Sequence, residues 1–274
     1  MEISLCNEVL SHLSFQEQCA YCASLGYDGL EVAPYTLADD PVQLSERELA
    51  DYRLMASDEG IRISGLHWLL LAPKGLSVVD PDPEVRRRTF DTLARLVDMC
   101  AVLGGSVLVH GSPRQRSLGT DPSADQARAE EYFATAGELA SHAGVTYCIE
   151  PLSRRETNYI NTVAEGVDLV KKVNQPGLKT MLDTSAAGLT EADPVAEVLD
   201  QWLPTGHLGH LQVNDRNRRA PGQGDDRFRP IMEVLLKHGW QQPIAVEPFI
   251  YEPDGAATAA RAIGYLRGIL EGLQ

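Results

Sequence analysis

Short apolar runs recur along this chain, each followed by a longer stretch with the three-to-four-residue spacing of an amphipathic helix. The runs predict strands at 3–6 (ISLC), 29–33 (GLEVA), 61–67 (IRISGLH), 106–111 (SVLVHG), 145–150 (VTYCIE), 178–183 (LKTMLD), 207–212 (HLGHLQ) and 243–247 (PIAVE). Helix starts are marked by capping boxes at Ser14 (S-F-Q-E) and Ser45 (S-E-R-E), the second ending near Gly60, and by Thr162 with Glu165. A long helix is expected over about 82–103, closed by Gly104-Gly105, and another over 123–143, stopped by Gly144. Further helices are expected at 194–202, 229–238 (before Gly239) and 255–273. Eight strands, each followed by a helix, predict the α/β class and a single (β/α)8 TIM barrel spanning 1–274. A doubly wound open sheet would need a glycine-rich phosphate turn after the first strand, and CNEVLSHLS has none.

The last four strands each end in an oxygen ligand: Glu150, Asp183, Gln212 and Glu247, spaced 33, 29 and 35 residues apart. Parallel strands point the same way, so these ends meet at one face, where such barrels build their active sites. Three carboxylates and an amide carbonyl converging on a point need a cation between them. A hard or borderline divalent ion fits, Mg, Mn or Co, with Zn a further candidate.

Strand alternation puts Gln212 and His210 on one face. His210 is then an interior histidine one layer below the site, a candidate for orienting neighbours or touching substrate. His67 and His110 finish the third and fourth strands and are candidates for contacting substrate hydroxyls. Arg218 lies in NDRNRRAPGQGD and is a fixed donor for a substrate oxygen, with Arg219 expected to face solvent. Glu156 can accept a substrate hydroxyl or pair with an arginine. Pro221, Gly222 and Gly224 suit a tight turn. Three long loops, at 68–81, 111–122 and 214–227, suit binding segments; the first carries Trp68 and three leucines, fit for an apolar cover or for rim packing. With a cation acidifying a C–H beside a carbonyl, Glu150 and Glu247 can remove a proton and return one. That chemistry suits isomerisation or epimerisation through an enediolate.

Composition narrows the class. The 274 residues match the ~250 typical of one such barrel. A net charge of −15 disfavours nucleic acid and anionic membrane as partners. The five cysteines form no disulfide framework, and Cys19-x-x-Cys22, inside an expected helix, reads as core packing. The N-terminal MEISLCNEVL lacks a basic and an apolar region, and no apolar run reaches the ~18 residues of a membrane span. A cytoplasmic location and a small-molecule carbohydrate substrate are the expectation, with homo-oligomerisation left open.

EPLSRRE, MLDTSAAG and HLQVNDRNRRAPGQGD, with Glu247, resemble the xylose-isomerase-like superfamily of sugar-phosphate isomerases and epimerases, over nearly the whole chain. The match to D-tagatose 3-epimerase relatives includes Glu150-Pro151, Glu156, Asp183-Thr184, Asn217-Arg218 followed by P-G-x-G, and Glu247. The resemblance implies that two Glu and an Asp bind the metal together with a His, and that the two Glu exchange the substrate proton. Two positions depart from it. Gln212 stands where the ketohexose epimerases have the fourth ligand His, and His210-Leu211-Gln212 is similar to the H-x-Q of hydroxypyruvate isomerases. Ala186 stands three residues after Asp183, where those epimerases place a substrate-binding His. A dehydratase or lyase of a keto-sugar or cyclitol, or a non-catalytic sugar-binding homologue, are the alternatives. A DNA-repair endonuclease of related fold is disfavoured by the charge and by too few histidines for three zinc ions. Arg114, Arg116, Arg154 and Arg155 are candidate phosphate donors.

Overall fold

The computed structural model describes residues 1–273. Its eight strands are β1 (Ile3–Cys6), β2 (Gly29–Val32), β3 (Arg62–Leu66), β4 (Val107–His110), β5 (Thr146–Ile149), β6 (Leu178–Asp183), β7 (Leu208–Val213) and β8 (Ile244–Val246). Each pairs in parallel with the next, and β8 closes on β1, so the sheet is a closed barrel. The helices are α1 (Phe15–Leu25), α2 (Glu46–Asp58), α3 (Pro83–Leu103), α4 (Pro122–Ala143), α5 (Val163–Val173), α6 (Thr184–Thr190), α7 (Val195–Trp202), α8 (Phe228–Lys237) and α9 (Gly255–Glu271).

The local signals act as expected. Ser14 accepts from the Glu17 amide while Glu17 Oε2 accepts from the Ser14 amide at 2.8 Å, and Ser45 with Glu48 repeats the arrangement. Gly104 and Gly144 end α3 and α4 at φ 82° and 71°, a left-handed backbone that glycine adopts without steric cost. Cys19 and Cys22 are free and buried in α1.

The closed sheet sorts side chains by parity. Leu5, Leu30, Leu108, Ile149 and Leu182 point outward into the large apolar layer beneath the helices. Val107, Val109, Cys148 and Met181 fill the barrel axis as a separate small cluster. Register places Met181 beside His210 and, two residues on, Asp183 beside Gln212. The axis therefore passes from apolar at its lower layers to carboxylate-rich at the strand C-termini.

One helix lies outside the expected set. α6 follows β6 without a loop and is too short for a helical period to show; the Asp183 side chain caps it by accepting from the Ala186 N–H at 2.7 Å. The 68–81 loop divides its apolar residues. Leu69 and Leu70 are fully buried in the core, whereas Trp68 stays half-buried and stacks edge-on with Phe249, ring centroids 6.3 Å apart.

Candidate metal centre and active site

Glu150 and Glu247 stand one residue beyond β5 and β8, and Asp183 is the last residue of β6. All three are buried, and one carboxylate oxygen from each lies within 4.8 Å of the others. The backbone is shaped for this. Gly111 follows β4, and a Cβ there would sit 2.1 Å from Glu150 Oε2, so a side chain would occupy the space of the carboxylate. The fully buried Arg116 donates from Nη1 to the His110 carbonyl at 3.0 Å and from Nη2 to the Glu150 carbonyl, tying the ends of β4 and β5 together. Asn214 donates from Nδ2 to the Glu247 carbonyl at 2.7 Å and accepts from the Ser185 amide at 3.0 Å, bracing β8 against α6.

Burial raises the Glu150 carboxyl well above its ordinary range, and the neighbouring Asp183 charge adds to this. Glu247 is raised well above its range by burial and then by Glu150 and Asp183. Asp183 is pushed up to about 7, mainly by burial, even though it accepts backbone hydrogen bonds. Asp183 Oδ2 and Glu247 Oε2 have no hydrogen-bond partner. Buried, orphaned carboxylate oxygens on converging strands could hold a divalent cation.

Gln212 is fully buried in β7, between Asp183 and Ala245 in register. Its Nε2 donates to Glu31 Oε1 at 2.7 Å, which leaves Oε1 without a partner. The amide is thus held with its carbonyl oxygen free, the orientation a metal ligand needs. Glu31, from the middle of β2, is a fully buried carboxylate that the strand-end pattern did not single out. A charged residue inside GLEVA was the available signal. Burial alone would raise Glu31, yet His210, His67 and Gln212 outweigh it and hold the carboxyl below its usual range.

The histidines divide. His67 is buried, lines the cleft that holds Glu150 and Glu247, and places Nε2 at 2.9 Å from Glu8 Oε2. His110 corrects the expectation of substrate contact: its ring packs among Tyr132, Phe133 and Tyr147 on the helix side of the sheet, with Nδ1 2.8 Å from the Tyr147 hydroxyl. The reason is parity, because Val109 and Gly111 take the inward positions. His210 is interior as expected, but its Nε2 stands 2.7 Å from Glu31 Oε2, an ion-pair contact without hydrogen-bond alignment. That position, two residues below Gln212, places His210 in the layer under the site and corrects the expectation that it touches substrate.

Arg218 and Glu156 do meet the carboxylates. A cavity of about 150 Å³ is lined by Glu150, Asp183, Glu156, Ala186, Arg218 and Phe249. Arg218 adopts φ 67°, and its guanidinium carbon lies 4.7 Å from the Phe249 ring centre. Glu156 Oε2 accepts from the Ser153 hydroxyl at 2.7 Å. Arg219 instead pairs with Glu252 at 2.6 Å. Pro221 and Gly222 form a turn, with the Gln223 N–H donating to the Ala220 carbonyl and Gly222 at φ 83°. A larger cavity, about 450 Å³, lies outside the barrel mouth beside α7 and α8; its Arg216 and Asp226 are spent on each other.

These features agree with the protein's relationships. The chain belongs to the xylose isomerase-like TIM barrel family, whose model matches residues 19–269. A D-psicose 3-epimerase of Ruminiclostridium cellulolyticum is 32% identical over 230 residues, covering 83% of this chain and 76% of that protein. A D-psicose 3-epimerase of Agrobacterium fabrum is 31% identical over 236 residues, covering 83% and 77%. A crystal structure of D-psicose 3-epimerase in the presence of D-fructose superposes with a TM-score of 0.83 at 25% identity, covering 98% of this chain and 99% of that one. Among the described residues, no helix is long and apolar enough to cross a membrane.

Proposed function

We propose that this chain is a divalent-metal-dependent epimerase of free ketoses, with Glu150, Asp183, Gln212 and Glu247 as metal ligands and Glu150 and Glu247 as the proton-transfer pair. The observation that carries the reading is the buried cluster of three carboxylates with orphaned oxygens, in a chain whose relatives are named D-psicose 3-epimerase. The oxygen-only donor set favours Mg or Mn.

When bound, the ion polarises the ketose carbonyl and its neighbouring hydroxyl, and so acidifies the C–H bond beside them. Glu150 and Glu247 reach the cleft beside His67 from β5 and β8. One takes the proton from the sugar carbon, leaving an enediolate, and the other delivers a proton to the opposite face, which inverts that carbon. Arg218, held on Phe249, donates to sugar oxygens, and Glu156 and His67 accept or donate along the chain of hydroxyls. Trp68 and Phe249 form an apolar cover that keeps bulk water from the enediolate. A free rather than phosphorylated sugar is supported by the relatives named D-psicose 3-epimerase; of the candidate phosphate donors, Arg116 is spent on main-chain carbonyls and Arg154 bonds Asn161 and Glu165, while Arg155 lines the cavity.

The test is incubation of Mn-loaded protein with D-psicose, D-fructose and L-ribulose in deuterated water. Interconversion of C3 epimers with solvent deuterium at that carbon is expected. Loss of one water to a deoxy-dicarbonyl product would assign the dehydratase reaction instead, and metal-loaded protein inert toward all three ketoses would overturn the proposal.

A further inference from the structure

A second group of donors stands against the first and shares one member with it. Cys6 ends β1, Glu8 lies in the single 3-10 turn that follows, His67 follows β3, and Glu247 completes the set. One ligand atom from each lies within 4.8 Å of the others. Cys6, His67 and Glu247 are buried, and Glu8 has 11% of its side chain exposed.

Three observations make this more than a collection of side chains. The His67 ring is held at one end and faces a buried carboxylate at the other. Its Nε2 faces Glu8 Oε2 at 2.9 Å, and its Nδ1, which has no hydrogen-bond partner, faces Glu31 Oε1 at 3.7 Å. A carboxylate behind one imidazole nitrogen and a ligand set before the other is how metal-binding histidines are held. Glu31 Oε1 also lies 3.7 Å from Cys6 Sγ and accepts from Gln212, so a single buried carboxylate backs both groups. Finally, five carboxylates, Glu8, Glu31, Glu150, Asp183 and Glu247, crowd the barrel mouth against the fully buried Arg116 and the histidines that face Glu8 and Glu31, so the field there favours cations.

We propose that Cys6, Glu8, His67 and Glu247 form a second cation site, selective for a soft or borderline divalent ion such as Zn, Cd or Co, with Glu247 bridging it to the first site. Thiolate and imidazole donors select these ions over Mg and Mn, which the all-oxygen first site takes. The Cys6 thiol gives its proton to solvent as the sulfur–metal bond forms. Four protein ligands make a closed site with no position left for a sugar oxygen. Because the site claims Glu247 and His67, filling it silences proton transfer rather than assisting it. The site rests on the proposed first site only through the shared Glu247.

Metal-stripped protein is titrated with Co, following bound metal and the thiolate-to-cobalt charge-transfer absorption in the near ultraviolet. The expected result is two equivalents, one without that band (the first site) and one with it (the second site), in whichever order they fill, whereas Mg fills a single equivalent. Cys6→Ser removes the band and the second equivalent but keeps the first. This also excludes Cys148, the other thiol on the barrel axis. Glu8→Gln, at the exposed edge, keeps the band and weakens the second equivalent by about tenfold or more. Asp183→Ala separates the two readings: it removes the first equivalent and leaves the thiolate band. A single equivalent of Co in the wild type, or a band that survives Cys6→Ser, overturns the second site. Should Cys6→Ser not fold, wild-type protein that saturates with Co without ever showing the charge-transfer band overturns it equally.

Discussion

Replacing Glu150 by Gln should change stability in opposite directions with and without metal. The three carboxylates place oxygens within 4.8 Å of one another. At an effective dielectric constant near 20, two unit charges at that distance repel by about 3 kcal/mol. Glu150 takes part in two of the three pairs. Protonation relieves part of the repulsion, since Asp183 is pushed up to about 7 and burial holds the two glutamates well above their usual range. The neutral, isosteric amide should therefore stabilise chelator-treated protein at neutral pH by roughly 1–3 kcal/mol, worth several degrees in Tm at about 2–4 °C per kcal/mol. Metal reverses the order. Mn at about 100 times its Kd adds roughly 2.7 kcal/mol to the wild type. Glu150→Gln loses an anionic ligand and so most of that gain.

The pH dependence carries a definite sign. Carboxyls raised in the folded state contribute stability that is complete below the ordinary carboxylate range and is lost as pH rises through their folded values. Chelated wild type should thus lose Tm between about pH 5 and pH 8, the variant should lose less, and Mn should flatten the wild-type curve. Thermal unfolding in chelator and in Mn across this range is the assay. A Tm for Glu150→Gln below wild type in chelator, by the same amount as in Mn, would refute the repulsion argument.

Glu247→Gln keeps an oxygen ligand while removing a proton carrier, so turnover on the active ketose, measured with Mn raised until the weakened site is filled, should fall by about 10²–10⁴-fold; wild-type turnover would end the two-carboxylate mechanism. Gln212→His should raise affinity for Zn and Co more than for Mg, read by competition titration, because imidazole is a softer donor than an amide oxygen; equal gains for all ions would remove Gln212 from the ligand set. Gly111→Ala puts a methyl 2.1 Å from Glu150 Oε2, so the carboxylate must move, and metal affinity should fall by about tenfold or more while unfolding stays cooperative; unchanged affinity would show that this oxygen is not a ligand.

Much of the architecture is a local matter, and was legible for that reason. Alternating short apolar runs and capped amphipathic stretches located all eight strands within a residue or two, because strand and helix periods, Ser14 and Ser45 capping, and Gly104 and Gly144 stops act over a few neighbours. Parallel connectivity then brings the ends of β5 to β8 together, which is why Glu150, Asp183 and Glu247 could be read as one group. Tertiary structure decided what depends on facing and on distant partners. His110 and His67 look alike in sequence at the ends of adjacent strands, yet one turns to the Tyr132–Phe133–Tyr147 layer and the other to the site. Glu31 gains its place only when β2 closes beside the strands carrying His67, His210 and Gln212, 181 residues away in the last case. Gly111 becomes a requirement only once Glu150 fills the space its missing side chain leaves. Parity within a strand is local, but the register that sets which side chains share a layer comes from closing the barrel, and no short stretch of sequence carries it.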